Sequence, residues 1–340
     1  MGKDLKPVFQ SSILVFKLIE LKEVYKARKT IQKYLPKTPL IMSSALSKKL
    51  GFETYVKCEN TLPTGAFKVR GGIYLISNLS EKERNRGVIT ASTGNHGQSI
   101  AYASSLFGVK ATVVVYKNAN PIKVEAIKKL GASLEIHGKD FDEARLWAEE
   151  EAKRKGYRYI HTANEPLLIT GVGTLYLEIM EDLPEVDAII VPIGGGTGAA
   201  AACIVAKTIN PKVEVIGVQA EKAPSVYLSW KNKKMIETKS ADTFADGIAT
   251  RVPFKLTLDI MNGKIDDIIL VSDEEIKKAI LTLLETTHQL AEGAGAASTA
   301  AAFKLRKRLK GKKVVVVLTG GNLTLETLKS ILESYPLSKS

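Results

Sequence analysis

The stretch Ala188-Ile189-Ile190-Val191-Pro192-Ile193-Gly194-Gly195-Gly196-Thr197-Gly198-Ala199-Ala200 decides the fold of this chain. Its first half is a continuous apolar run of the kind a strand shows when both of its faces are covered. Its second half is an alanine-rich helix start, and only glycines and a threonine lie between. Glycine lets backbone N–H groups converge on an anion without side-chain obstruction. Taken alone, the loop suits a phosphate cup and a dinucleotide fingerprint equally well. Against the fingerprint, the loop lies deep in the chain, and Gly217-Val218-Gln219-Ala220-Glu221-Lys222 after the next strand offers an equivocal ribose-binding acid.

Outward from this stretch the same alternation recurs. Short apolar runs at 110–116, 158–161, 213–219 and 313–318 predict strands, and patterns of period 3.6 at 121–130 and 141–155 predict helices. Ser272-Asp273-Glu274-Glu275 is a capping box that starts another helix at about Asp273. The class is α/β, with parallel sheets and helices on both faces. No repeat or low-complexity linker interrupts it.

Three further segments carry chemistry. Pro63-Thr64-Gly65-Ala66-Phe67-Lys68-Val69-Arg70-Gly71-Gly72 puts a lysine on a glycine-flanked turn entering a helix. Such an amine forms a Schiff base when desolvation or nearby positive charge lowers its pKa. Singly it also reads as a solvated helix lysine. Ala91-Ser92-Thr93-Gly94-Asn95-His96-Gly97-Gln98-Ser99 follows the apolar run Gly87-Val88-Ile89-Thr90 and precedes a helical pattern. It offers hydroxyls, an amide and free N–H groups where carboxylates and phosphates bind, although ordinary capping explains Ser, Thr and Asn there equally. Val314-Val315-Val316-Val317-Leu318-Thr319-Gly320-Gly321-Asn322 ends a buried strand in a hydroxyl, where ligands of open α/β sheets sit; helix capping is the competing role for Thr319.

In this order the four segments resemble the pyridoxal-phosphate-dependent threonine/serine dehydratase and serine racemase family, of the tryptophan synthase β-subunit fold group. The resemblance runs from about residue 24 to 322. It also covers Thr38-Pro39-Leu40, Gly171-Val172-Gly173-Thr174, Ala245-Asp246-Gly247-Ile248-Ala249 and Glu292-Gly293-Ala294-Gly295-Ala296. It implies two lobes, each a mostly parallel twisted sheet with helices on both faces. A small substrate-gripping lobe, 86–163, is inserted in a large cofactor-binding lobe made of 1–85 and 164–340. It implies pyridoxal 5'-phosphate as cofactor, joined to Lys68 as a Schiff base, with Phe67 against the ring and Asn95 on the 3-hydroxyl. Backbone amides of Gly194, Gly195, Gly196, Thr197 and Gly198 would hold the phosphate, and Thr319 would face the pyridine nitrogen. Ser92, Thr93, Asn95 and His96 match the loop that grips the substrate carboxylate.

The implied reaction is loss of water from L-threonine, and from L-serine, to give a 2-oxo acid and ammonia, with Lys68 as the base for the α-proton. A hydroxyl at position 319 leaves the ring nitrogen neutral, which favours prompt elimination over transamination. Dehydratases more often carry Ser or Cys there, so Thr319 is a departure that bears on specificity. Serine racemase stays open as an alternative, because racemases place a serine at the position of Thr93, typical dehydratases an alanine, and Thr93 keeps a hydroxyl. A 3-hydroxyaspartate dehydratase is a further alternative, and a noncatalytic amino-acid or nucleotide-binding module is the non-enzyme one. The racemases' divalent-cation acids align with Gln219 and Ser225, neutral residues that suit magnesium or calcium poorly, so no metal is expected. Family members are usually dimers or tetramers. The regulatory domain appended to allosteric relatives is expected to be missing, since the chain ends soon after Asn322.

Composition agrees. The chain has 340 residues, enough for two lobes, and 45% hydrophobic content. Two cysteines, Cys58 and Cys203, exclude a disulfide framework and point to a reducing, cytoplasmic setting. The run Ile13-Leu14-Val15-Phe16 is too short for a signal peptide or membrane span, and the first twenty or so residues are assigned no role. The net charge of +13 comes from lysines dispersed among glutamates, as in Glu149-Glu150-Glu151-Ala152-Lys153-Arg154-Lys155, without interleaved aromatics. Neither nucleic acid nor membrane is expected as a partner; a small amino acid is.

Overall fold

The computed structural model describes residues 19–117, 119 and 121–335. The run Ile13-Leu14-Val15-Phe16, and most of the leading segment given no role, lie outside the described residues. Among the described residues ten strands follow in chain order: β1 (Leu40–Met42), β2 (Glu53–Cys58), β3 (Val88–Ala91), β4 (Ala111–Val115), β5 (Ser133–Ile136), β6 (Arg158–Tyr159), β7 (Ala188–Pro192), β8 (Glu214–Ala220), β9 (Asp267–Val271) and β10 (Lys313–Leu318). The strands anticipated from apolar runs form within a residue or two of their expected ends. β2 and β5 interleave polar residues with apolar ones, and β1 is only three residues long; these, with β9, are not among the strands anticipated from sequence. The helix Phe141–Lys155 forms as its periodicity predicts, with Asp140 accepting from the Glu143 N–H at its start. The Ser272 capping box is present in both directions.

The chain divides into two compact units. One comprises Met1–Pro36, described from residue 19, with Lys68–Leu177; the other comprises Lys37–Phe67 with Glu178–Ser340. The first holds a wholly parallel four-stranded sheet ordered β5-β4-β3-β6. The helix Phe141–Lys155 seals it through a core of Ile89, Ala91, Val114, Ala144 and Ala148. The expected inserted segment 86–163 falls within this unit, and residues 68–85 and 164–177 join it by side-chain packing. The helix Lys68–Ser77 lies close against the helix Asn95–Leu106, and buried Arg70 reaches Thr174 Oγ1 at 3.2 Å.

The second unit holds a six-stranded sheet ordered β1-β2-β10-β7-β8-β9, parallel except for β1. β7 is buried at every position and β10 at all but its first, as apolar runs rich in Val and Ile require in a sheet covered on both faces. Among the described residues no helix is long and apolar enough to cross a membrane.

Candidate active site

In the six-stranded unit, β7 and β10 are neighbours and both end at the same edge of the sheet, one running into Gly194 and the other into Thr319. Carboxyl ends of adjacent parallel strands, where the connections diverge, are where open α/β sheets bind ligands. A Cβ at Gly194 would lie 2.1 Å from the Gly247 carbonyl oxygen. Gly196 has φ +90°, and a Cβ there would meet Thr257 Oγ1 at 2.7 Å. No other residue type fits either position without moving its neighbours. Thr257, 1% exposed, donates its hydroxyl to the Gly195 carbonyl at 2.8 Å, which fixes the loop's acceptor side. The 13-residue helix Thr197–Ile209 then begins, and its first turn leaves N–H groups without intrahelical partners at the positive end of the helix dipole. This cradle fits a phosphate.

The same unit stitches two segments that sequence offers separately. β2 and β10 end level, with Cys58 opposite Leu318. Beyond them the Phe67 N–H donates to the Thr319 carbonyl at 2.9 Å and the Gly321 N–H donates to the Gly65 carbonyl at 2.9 Å. Asn322 Nδ2 donates to the Thr64 carbonyl at 2.9 Å. Thr319 is 5% exposed. The turn 64–67 is thereby held as an extra strand-like edge, and the peptide after Phe67 is that of Lys68.

In the four-stranded unit Lys68 opens its helix. The side chain is half-buried by surface area, yet removal of its amine from solvent lowers the pKa to about 8. β3 runs into Ser92, Thr93 and Gly94, and the helix Asn95–Leu106 follows. The Ser92 N–H bonds the Val114 carbonyl at 3.1 Å and the Gly94 N–H bonds Ser92 Oγ at 3.3 Å, so the loop curls over the sheet edge. Ser92, Thr93 and Asn95 are half-buried, whereas His96 is 4% exposed. Its Nε2 lies 3.0 Å from Thr90 Oγ1, and Thr90 donates its own proton to the Ile160 carbonyl at 2.8 Å. Nε2 must therefore carry the hydrogen. Desolvation, followed by the charges of Lys68 and His161, pushes the His96 pKa down to about 3. The imidazole thus lies beneath the loop as a neutral support.

His161, absent from the sequence reading, lies just past β6 with Nδ1 accepting from the Ala163 and Asn164 N–H groups, both at 3.0 Å. Desolvation lowers its pKa to about 4. Both histidines are neutral when folded and protonate near pH 6.5 when unfolded, so the unfolded chain binds more protons below that pH. Their contribution to stability is complete above about pH 6.5 and is lost progressively towards the folded pKa values, each by up to about 1.4 kcal/mol per pH unit. Urea midpoints of the cofactor-free chain should fall between pH 7 and 5, and His96→Gln should flatten that fall. Equal slopes for the two proteins would refute the assignment.

Thr257 escaped sequence reasoning because it belongs to no motif and meets Gly195 across 62 positions. At the positions aligned with a cation site, Gln219 Oε1 accepts from the Tyr227 N–H at 2.8 Å and Ser225 Oγ donates to the Thr250 carbonyl at 2.7 Å.

Residues 31–320 match the family model described as pyridoxal-phosphate dependent enzyme. An L-threonine ammonia-lyase of Thermotoga maritima is 41% identical over 315 residues, covering 93% of this chain and 78% of the relative. Among solved structures, the processed form of threonine deaminase isoform 2 from Solanum lycopersicum superposes with a TM-score of 0.87 at 31% identity, covering 94% of this chain and 95% of the other. Maize serine racemase gives 0.88 at 30% identity, with 93% and 98% covered.

Proposed function

Because this chain belongs to the pyridoxal-phosphate dependent enzymes, we propose that it is an L-threonine ammonia-lyase, which also accepts L-serine. The products are 2-oxobutanoate or pyruvate, and ammonia. The observation that carries the reading is Lys68: a desolvated amine, with its pKa lowered to about 8, at the head of a helix directly after the turn tied to Thr319. The relatives named for threonine support the choice of substrate.

The residues fit the cofactor's two ends. An aldehyde requires a neutral amine, which Lys68 supplies. A phosphate requires convergent N–H donors, which the Gly194, Gly195, Gly196, Thr197 and Gly198 backbone offers. When bound, the cofactor withdraws electrons from the substrate's α-carbon. In the proposal Lys68 takes the α-proton, which demands the unprotonated amine. Phe67 covers the ring, Asn95 bonds the 3-hydroxyl, and the Thr319 hydroxyl faces the ring nitrogen without supplying a charge. Ser92, Thr93 and Asn95 hold the substrate carboxylate, and His96 supports that loop from below. We extend the proposal to a cytoplasmic homo-oligomer, dimer or tetramer. Two buried free thiols, Cys58 and Cys203, both pushed up to about 12 by burial, suit a reducing compartment.

Incubating the cofactor-loaded chain with L-threonine, L-serine and 3-hydroxyaspartate and assaying oxo acid, ammonia and D-serine tests the reading. Oxo acid from threonine is the expected result. D-serine without oxo acid would replace the lyase by a racemase, the second reading that the half-buried Thr93 hydroxyl keeps in view.

A further inference from the structure

Ser99 sits one turn into the helix Asn95–Leu106 and is 0% exposed. A buried helix serine usually returns its hydroxyl to the carbonyl four residues earlier in its own helix. Here that would be Asn95. Ser99 Oγ instead donates across to the Lys68 carbonyl at 2.7 Å. The crossing is possible because residue 72, on the lysine's own helix, is a glycine: a Cβ there would lie 2.3 Å from Ser99 Oγ and 2.8 Å from the Ser99 carbonyl. Two helices thus meet at backbone distance around one hydroxyl.

Asn95 and Ser99 are four residues apart and so lie on one helix face, about 6 Å apart along the axis. The Lys68 peptide is therefore bonded to the same helical turn that carries the Asn95 side chain. We infer that Ser99 is a positioning residue, whose hydroxyl sets the spacing between Lys68 and Asn95 and thereby the seat of the ring that both address. The inference rests on the proposed roles of those two residues. It assigns Ser99 no contact with substrate or cofactor. A catalytic group displaced by a fraction of an ångström loses rate while substrate affinity changes little, because the loop proposed to hold the carboxylate precedes Ser99 in the chain and keeps its own bond from the Ser92 N–H to β4.

The test uses Ser99→Ala and Ser99→Cys in the full, cofactor-loaded chain. Three quantities are compared with wild type: kcat and KM for L-threonine, the rate at which cofactor leaves to a scavenging apoenzyme, and the thermal midpoint of the cofactor-free chain. Ser99→Ala should lower kcat about tenfold and release cofactor about tenfold faster, a loss of the size of one directed hydrogen bond, with KM within about twofold. The cysteine variant, which keeps a weak donor, should recover part of both losses. The cofactor-free midpoints should stay together. Unchanged kcat and release in Ser99→Ala would overturn the inference. So would losses that follow an equal fall in the cofactor-free midpoint of both variants, which would make Ser99 a packing residue only. Cofactor release is read without threonine. A wild type that retains cofactor yet leaves threonine untouched therefore overturns the substrate reading, and the release comparison still decides this one.

Discussion

Lys68→Ala should abolish turnover of L-threonine, by on the order of a thousandfold or more, because one side chain supplies both the covalent attachment and the base. The fold should survive. Alanine is a good helix former, and the substitution removes a desolvated amine whose protonated form is disfavoured where it stands. The lowered pKa sets the pH dependence of cofactor capture. With a pKa of about 8, roughly one amine in ten is neutral at pH 7, against roughly one in three thousand at the ordinary lysine value. Capture by the cofactor-free chain should rise about tenfold from pH 6 to 7 and level off above about 8, following the neutral fraction. Lys68→Arg, a permanent cation, should capture none at any of these pH values. Borohydride reduction followed by mass spectrometry reads the attachment directly. Cofactor fixed to another lysine in Lys68→Ala, or capture that is flat with pH, would remove the basis of the reading.

The parts of this fold that could be read from sequence are those whose energetics are local. β7 and β10 are apolar runs rich in Val and Ile that lead into glycine-containing loops, so both the strands and the loops at their carboxyl ends follow from the residues themselves. The capping box at Ser272 and the helix 141–155 are similarly self-contained. What stayed hidden depends on partners far along the chain. Gly194 is explained by the Gly247 carbonyl, Gly196 by Thr257, and Gly72 by Ser99. No spacing rule connects those positions. His96 shows a different limit. The motif places it beside Ser92, Thr93 and Asn95, but only the Thr90 hydroxyl and its own burial determine that the ring points into the protein. The bounds of the two compact units were equally out of reach, since they follow from helices packing beside the four-stranded sheet and leave no mark of composition.

β2 is the clearest strand that the sequence concealed, and it leads to the second large prediction. Glu53-Thr54-Tyr55-Val56-Lys57-Cys58 carries Glu53 and Lys57 within six residues, yet it lies inside the sheet between β1 and β10, and Lys57 is 0% exposed. Its amine donates to Glu178 Oε2 at 2.6 Å and to the Thr38 carbonyl at 2.9 Å. Thr38 in turn donates its hydroxyl to Glu59 at 2.6 Å. Thr38, Lys57, Glu59 and Glu178 are all buried, so the group is a dry polar knot at the end of β2, at the root of the turn that leads to Phe67. Taking one member away leaves the others charged or unpaired in low dielectric. Lys57→Ala or Glu178→Ala should therefore cost about 3–5 kcal/mol, far more than an exposed ion pair of this chain would. Removing the paired charges together, as Lys57→Met with Glu178→Leu, should cost less than the sum of the two single changes, because neither partner is left facing a missing counter-charge. It should still fall short of wild type, since Thr38 then loses its bonds to both. Urea unfolding of the four proteins at one pH, with unchanged slopes, measures these differences. Single variants within about 0.5 kcal/mol of wild type would show that water reaches the knot and that Lys57 is not held there by its charge.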